Sequence, residues 1–305
     1  NGKYLLTRYS DNYDVKRSRT RCELTEVKTG RVILPNANEK MNWMPNSNKL
    51  YYTVMGEEQN DLVVFDPATM REEVLLKNVP EGYFSWSPTE DYLIYMLTDE
   101  GEKVSCPLKR LLHPDDRIPN SRDRYYLMKY DVATGLSERL TYGSHNVYLN
   151  DISPDGKKLL CSTSKPDITR CPFSLSSLFE IDLTTLQADT LVAWDAYLGS
   201  ASYSPDGKQL LVTGSPSAFG GIGKNCGEHP IANDFDTQAF IMDLATKKVQ
   251  AITRDFNPTV SPVQWNRVDG CIYFDTTDGD CRHIYRYVPK TGGFEMLPLE
   301  EDVIT

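Results

Sequence analysis

The chain has no long apolar run, no sustained helical periodicity and no block of Lys and Arg. The first lack leaves nothing near the roughly 18 residues of a spanning helix, so no membrane insertion is expected. The second points away from helical bundles and βαβ units. The third, with a net charge of −10, excludes nucleic acid and anionic membrane surfaces as expected partners. No segment reads as a signal peptide, and the start at Asn1-Gly2 without Met fits a processed or excised chain.

Catalytic signatures are also missing. There is no Gly-x-Ser-x-Gly elbow; the nearest stretch, Gly135-Leu136-Ser137, continues Glu138-Arg139. No catalytic residue is therefore assigned. The four histidines, His113, His145, His229 and His283, have no metal-ligand spacing, and no metal or cofactor is expected. Gly220-Gly221-Ile222-Gly223-Lys224-Asn225 resembles a phosphate loop but lacks a Ser or Thr after its Lys, so it reads as a mobile surface loop. The seven cysteines make no disulfide framework. Cys161 with Cys171 and Cys271 with Cys281 could each close a hairpin, though isolated strand thiols are the plainer reading.

What is present is a repeat. Ser153-Pro154-Asp155-Gly156-Lys157-Lys158-Leu159-Leu160 returns as Ser204-Pro205-Asp206-Gly207-Lys208-Gln209-Leu210-Leu211. Ser, Pro, Asp and Gly suit the four positions of a type I turn, and the apolar run after them is strand-like. Earlier copies begin at Trp43-Met44-Pro45 and Trp86-Ser87-Pro88, and a decayed one runs from Trp265 to Phe274. The shared Trp position reads as packing between repeats. Between these turns lies a second element, an alternating strand that ends in an Asp-x-x-Thr-Gly turn. Asp131-Val132-Ala133-Thr134-Gly135 is its clearest copy. Asp66, Asp182 and Asp243 open three more, and Val27-Lys28-Thr29-Gly30 and Pro289-Lys290-Thr291-Gly292 are the first and last.

Each repeat thus reads as four antiparallel strands, half-buried by their period of two. Repeated units of that kind are blades, so the expected fold is all-β, a β-propeller of about six four-stranded blades occupying residues 1–305 as one domain. Asn1-Gly2-Lys3-Tyr4-Leu5-Leu6 matches Asp155-Gly156-Lys157-Lys158-Leu159-Leu160, so the first blade is expected to lack its innermost strand. Both ends look cut, and seven or eight blades in a parent protein fit as well as six. Long insertions are expected between second and third strands, at Asp99 to Arg124 and Ser215 to Gln238, lining one surface.

Acidic pairs stand at Glu57-Glu58, Glu72-Glu73 and Glu300-Glu301. Glu57 and Glu58, in a loop after a second strand, are the best placed to bind a substrate amine; a solvated turn is the alternative.

Blades marked by Ser-Pro-Asp-Gly-Lys-x-Leu-Leu, with Asp-Leu-x-Thr-Gly type strands, resemble the N-terminal propeller of the prolyl oligopeptidase and dipeptidyl peptidase IV class of serine peptidases. They resemble TolB-like periplasmic propellers second. The resemblance covers essentially all 305 residues. It implies a non-catalytic propeller that caps a C-terminal α/β-hydrolase domain of the same protein, absent from this chain, and admits only short peptides. It also implies a periplasmic or secreted location. The Trp-before-Glu-Glu signature of the dipeptidyl peptidases is absent, so no site residue is carried over. The alternatives are a TolB-like scaffold without an enzyme and a metal-dependent carbohydrate lyase built on a propeller.

Overall fold

The computed structural model describes residues 2–11, 19–38, 40–56, 60–79, 83–101, 108, 110–112, 114–226 and 236–299. Its strands form six antiparallel sheets in chain order. Blade 1 holds β1 (Tyr4–Asp11), β2 (Arg19–Glu26) and β3 (Arg31–Ala37). Blade 2 holds β4 (Asn42–Trp43), β5 (Leu50–Met55), β6 (Asn60–Asp66) and β7 (Arg71–Leu76). Blade 3 holds β8 (Phe84–Trp86), β9 (Tyr92–Asp99), β10 (Arg124–Asp131) and β11 (Ser137–Arg139). Blade 4 holds β12 (Val147–Ile152), β13 (Lys158–Pro166), β14 (Ser174–Asp182) and β15 (Ala188–Asp195). Blade 5 holds β16 (Leu198–Tyr203), β17 (Gln209–Gly214), β18 (Gln238–Asp243) and β19 (Val249–Ala251). Blade 6 holds β20 (Thr259–Trp265), β21 (Ile272–Asp278), β22 (Cys281–Val288) and β23 (Gly293–Met296). Each sheet is a simple meander, and the fold is an all-β, six-bladed propeller whose first blade shows three strands.

The repeated turns form as their residues require. Ser153 Oγ donates to Asp155 Oδ1 at 2.6 Å, Gly156 N to Ser153 O at 2.8 Å and Lys158 N to Ser153 Oγ at 2.9 Å. The Ser204 copy makes the same three bonds at 2.7, 2.9 and 3.0 Å. Gly156 and Gly207 sit at φ of 70° and 69°, the left-handed region that glycine enters without cost. Blade 3 puts Glu90 in that position at φ 63°. Its carboxylate takes a second task, accepting Asn46 N and Ser47 N of blade 2, both at 2.7 Å.

The chain divides into two compact units, Asn1–Tyr95 with Lys129–Glu138 and Met96–Met128 with Arg139–Thr305. In the first, one core gathers Cys22, Leu24, Met41, Leu50 and Phe65 around Trp43, and another gathers Leu62, Trp86, Leu93 and Tyr130. In the second, Leu160, Leu178, Leu210, Val212, Phe240 and Met242 fill the space between blades 4 and 5. Leu211, Ile241, Val260, Ile272 and Phe274, with Trp265 against them, fill that between blades 5 and 6. Alternate residues of β17 and β18 thus enter different cores. β17 and β18 are buried on both faces, not half-buried as their alternation suggests, because blade 4 lies against one face and blade 6 against the other. The polar member of the alternation is covered too. Glu180 of β14 is buried, accepting Tyr203 Oη at 2.7 Å and Lys158 Nζ at 3.0 Å.

Candidate functional site

The most distinctive surface of the second unit lies along the first strands of blades 4, 5 and 6. Each breaks register against its neighbour: β12 between Leu149 and Asp151, β16 between Leu198 and Ala201, β20 between Pro262 and Gln264. A bulge leaves one residue over and re-aims its side chain. In β12 the extra residue is Asn150, whose Nδ2 is buried with no hydrogen-bond partner. In β16 the chain closes on β17 so tightly that a Cβ on Gly199 would come within 2.4 Å of Thr213 Oγ1. That hydroxyl accepts Ser200 N at 2.8 Å and lies 3.0 Å from Ser200 Oγ. In β20 the bulge sits beside Pro262, which has no N–H to leave unpaired.

Two cavities open along these bulges. One, about 370 Å³, lies between blades 5 and 6 and is lined by the hydroxyls of Ser200, Thr213, Thr237, Thr259, Ser261 and Thr277. The other, about 250 Å³, is lined by Asn150, Ser200, Ser202, Gln264 and Trp265 among others. Ser200, Thr213 and Pro262 border both, making one polar groove. Its charged liners, Asp275 and Arg282, face each other as an ion pair. Asp151, beside Asn150, holds the groove's frame. Its Oδ2 accepts Tyr203 N of the next blade and its Oδ1 accepts Ile152 N, both at 2.8 Å. Burial raises its pKa and those two bonds counter part of the rise. Tyr203 in turn titrates well above its ordinary value, from burial and then from its bond to Glu180.

The groove offers donors and acceptors without free charge. Ser200 Oγ is engaged with Thr213, and among the described residues no imidazole is bonded to it. Among the described residues no group of three His, Cys, Asp or Glu could hold a metal ion, and no helix is long and apolar enough to cross a membrane.

The residues singled out from sequence fall elsewhere. Glu57 and Glu58 lie outside the described residues, as do His113, His229, Glu300 and Glu301. Glu73 is exposed on β7 and pairs with Lys49 at 3.7 Å. His145 sits edge-on to Trp194, and His283 is on β22. Cys161 is not bonded to Cys171, nor Cys271 to Cys281. The Gly220 segment is pinned at its start, where a loose loop was expected. Its first two glycines lie within a short turn, Ala218–Gly221, in which Phe219 packs on Phe240 with centroids 5.1 Å apart and Phe219 N donates to Asp195 Oδ2 at 2.7 Å. Both insertions fall where expected, between β9 and β10 and between β17 and β18.

No family model matches the chain, and no curated protein does. Solved structures do. Acylaminoacyl peptidase from Pyrococcus horikoshii matches with a TM-score of 0.64 at 11% identity, over 97% of this chain and 44% of that one. The β-propeller domain of the Trilobed protease from Pyrococcus furiosus matches at 0.59 and 12%, over 96% and 79%. TolB from Acinetobacter baumannii matches at 0.55 and 15%, over 98% and 64%. The chain resembles peptidase propellers and TolB alike. An oligogalacturonate lyase in complex with manganese shares the fold at 0.55 and 14%. At these identities the likeness is one of fold. This chain spans less than two thirds of the TolB and less than half of the acylaminoacyl peptidase.

Proposed function

We propose that this chain is the non-catalytic propeller of a prolyl oligopeptidase-like serine peptidase, capping a hydrolase domain of the same protein and restricting access to short peptides. The observation that carries the reading is one of proportion. The chain accounts for 44% of acylaminoacyl peptidase but 79% of the isolated Trilobed protease propeller. A polar groove whose charged liners neutralise each other suits a part that handles substrate while another part cuts it. Reading the coding sequence past Thr305 tests this. A Gly-x-Ser-x-Gly elbow followed by Asp and His supports it, and a stop codon there sinks it. With the elbow present, the whole protein should cleave short peptides and spare folded ones.

The second reading is a TolB-like scaffold, favoured by the match that covers 98% of this chain. A short reading frame and a stable protein complex recovered with the chain would select it.

A further inference from the structure

We infer that the groove over Asn150, Ser200, Ser202 and Ser261 is a binding site for extended polypeptide, gripped by its backbone and tolerant of its side chains. For ligand class it rests on the peptide-handling reading above; its geometry stands apart from it. A peptide backbone repeats one donor and one acceptor per residue. The groove answers with the hydroxyls of Ser202, Ser261 and Thr277, which serve as either, while those of Thr213 and Thr259 already donate within the protein, and with one amide, Asn150 Nδ2, that is buried and still owed an acceptor. A peptide carbonyl supplies it once the Asn150 side chain turns toward the groove, because the nitrogen is closed to solvent in the free protein. Asp275 and Arg282 neutralise each other, so nothing in the groove selects a charged side chain.

Two features narrow the mode. First, β12, β16 and β20 each stand at the edge of their sheet, where an incoming strand could add. On β16, however, Tyr203 N is already taken by Asp151. Strand addition is blocked there, and the grip falls to side chains. Second, a sugar ring wants an aromatic face to stack on. The larger cavity has no aromatic liner, and in the smaller one Trp265 packs against the blade 5–6 core and donates its Nε1–H to Gly270 O. That disfavours a saccharide.

The test uses the whole chain with two probes, a fluorescently labelled unstructured peptide of Gly, Ser and Ala, and a neutral maltooligosaccharide. The peptide should bind and slow amide exchange in β12, β16 and β20. Asn150→Ala should weaken it about five-fold, the worth of one hydrogen bond, without lowering the melting temperature. Ser261→Tyr, which plugs the groove at an exposed position, should abolish binding. Failure of the peptide to bind, binding of the saccharide instead, or equal peptide affinity in both variants would each overturn the inference. A hydrolase domain missing beyond Thr305 would sink the peptidase reading and leave this one standing. A groove that ignores peptide would do the reverse.

Discussion

Within blades 4, 5 and 6, the middle strand pairs and the inner strand pairs behave differently. β13 with β14, β17 with β18 and β21 with β22 pair without a register shift. The inner pairs, β12 with β13, β16 with β17 and β20 with β21, all slip. The middle pairs carry the cores, where a slip would turn every apolar side chain to the wrong face. The inner pairs carry small polar residues, for which a slip costs little and re-aims a side chain. Regular pairing therefore marks the frame, and slips fall outside it, in the inner pairs that border the groove and also in the outer pair β14 with β15.

The difference can be broken most forcefully in the frame. Phe240 of β18 is fully buried between blades 4 and 5, in contact with Phe219. Phe240→Ala should cost about 3–5 kcal/mol, read by denaturant unfolding. A loss under about 1 kcal/mol would mean that this core does not hold the two blades together.

Next comes the tie between frame and groove. Tyr203 hydrogen bonds to buried Glu180 while its backbone N–H is held by Asp151. Tyr203→Phe leaves a carboxylate oxygen unanswered in the interior and should cost about 2 kcal/mol. If instead the variant is as stable as the parent, Lys158 alone satisfies Glu180.

Acid separates the two regions without mutation. The carboxyls of Asp131, Asp182 and Asp243 are held low, by bonds from Thr134 Oγ1, Thr185 N and Thr246 Oγ1 respectively. A depressed folded pKa contributes stability that is present above the unfolded value, about 3.9, and is lost as pH falls through the folded one. Asp151 is raised by burial, so its contribution runs the other way, complete at low pH and lost as pH rises through its folded pKa. The melting temperature should hold or rise as pH falls from neutrality toward the ordinary carboxyl value, then drop below about pH 4. Asp151→Asn should remove the upper feature and leave the lower. A steady decline from neutral pH would contradict this assignment.

Glu90 tests one turn against its glycine counterparts. Glu90→Gly relieves a left-handed residue, worth about 1 kcal/mol, but releases Asn46 N and Ser47 N from a carboxylate. The two bonds should win by roughly 1 kcal/mol, giving a small net loss. A gain would show that the exposed bonds are worth less than the backbone strain.

These positions also show what the sequence could and could not reveal. The frame was legible because its signals are local: Ser153-Pro154-Asp155-Gly156 and Asp131-Val132-Ala133-Thr134-Gly135 dictate their own hydrogen bonds within a few residues. Even Glu90 held its place in the repeat, although no glycine advertised the turn. The groove was not legible. Asn150, Ser200 and Ser261 come from three blades, and none belongs to a motif. A faint signal exists, since Asn150, Ser200, Ser202 and Ser261 stand on inner strands beside apolar middle strands such as β17, but nothing local says that they meet. Likewise Glu180 belongs to an alternating strand, and the sequence does not say that Tyr203 of the next blade will cover it.

The smallest stability effect is the most telling. Asn150 Nδ2 is a buried donor without an acceptor, an arrangement that lowers stability; Trp86 Nε1 and Thr163 Oγ1 share it within the frame, but Asn150 alone of the three borders the groove. Asn150→Ala removes the orphaned group together with little packing, since the residue is the surplus member of a bulge. The free protein should be unchanged or stabilised by up to about 1 kcal/mol, measured by thermal unfolding. If the variant instead loses more than about 1 kcal/mol, the amide serves the fold, and the inner strands slip for reasons of curvature alone.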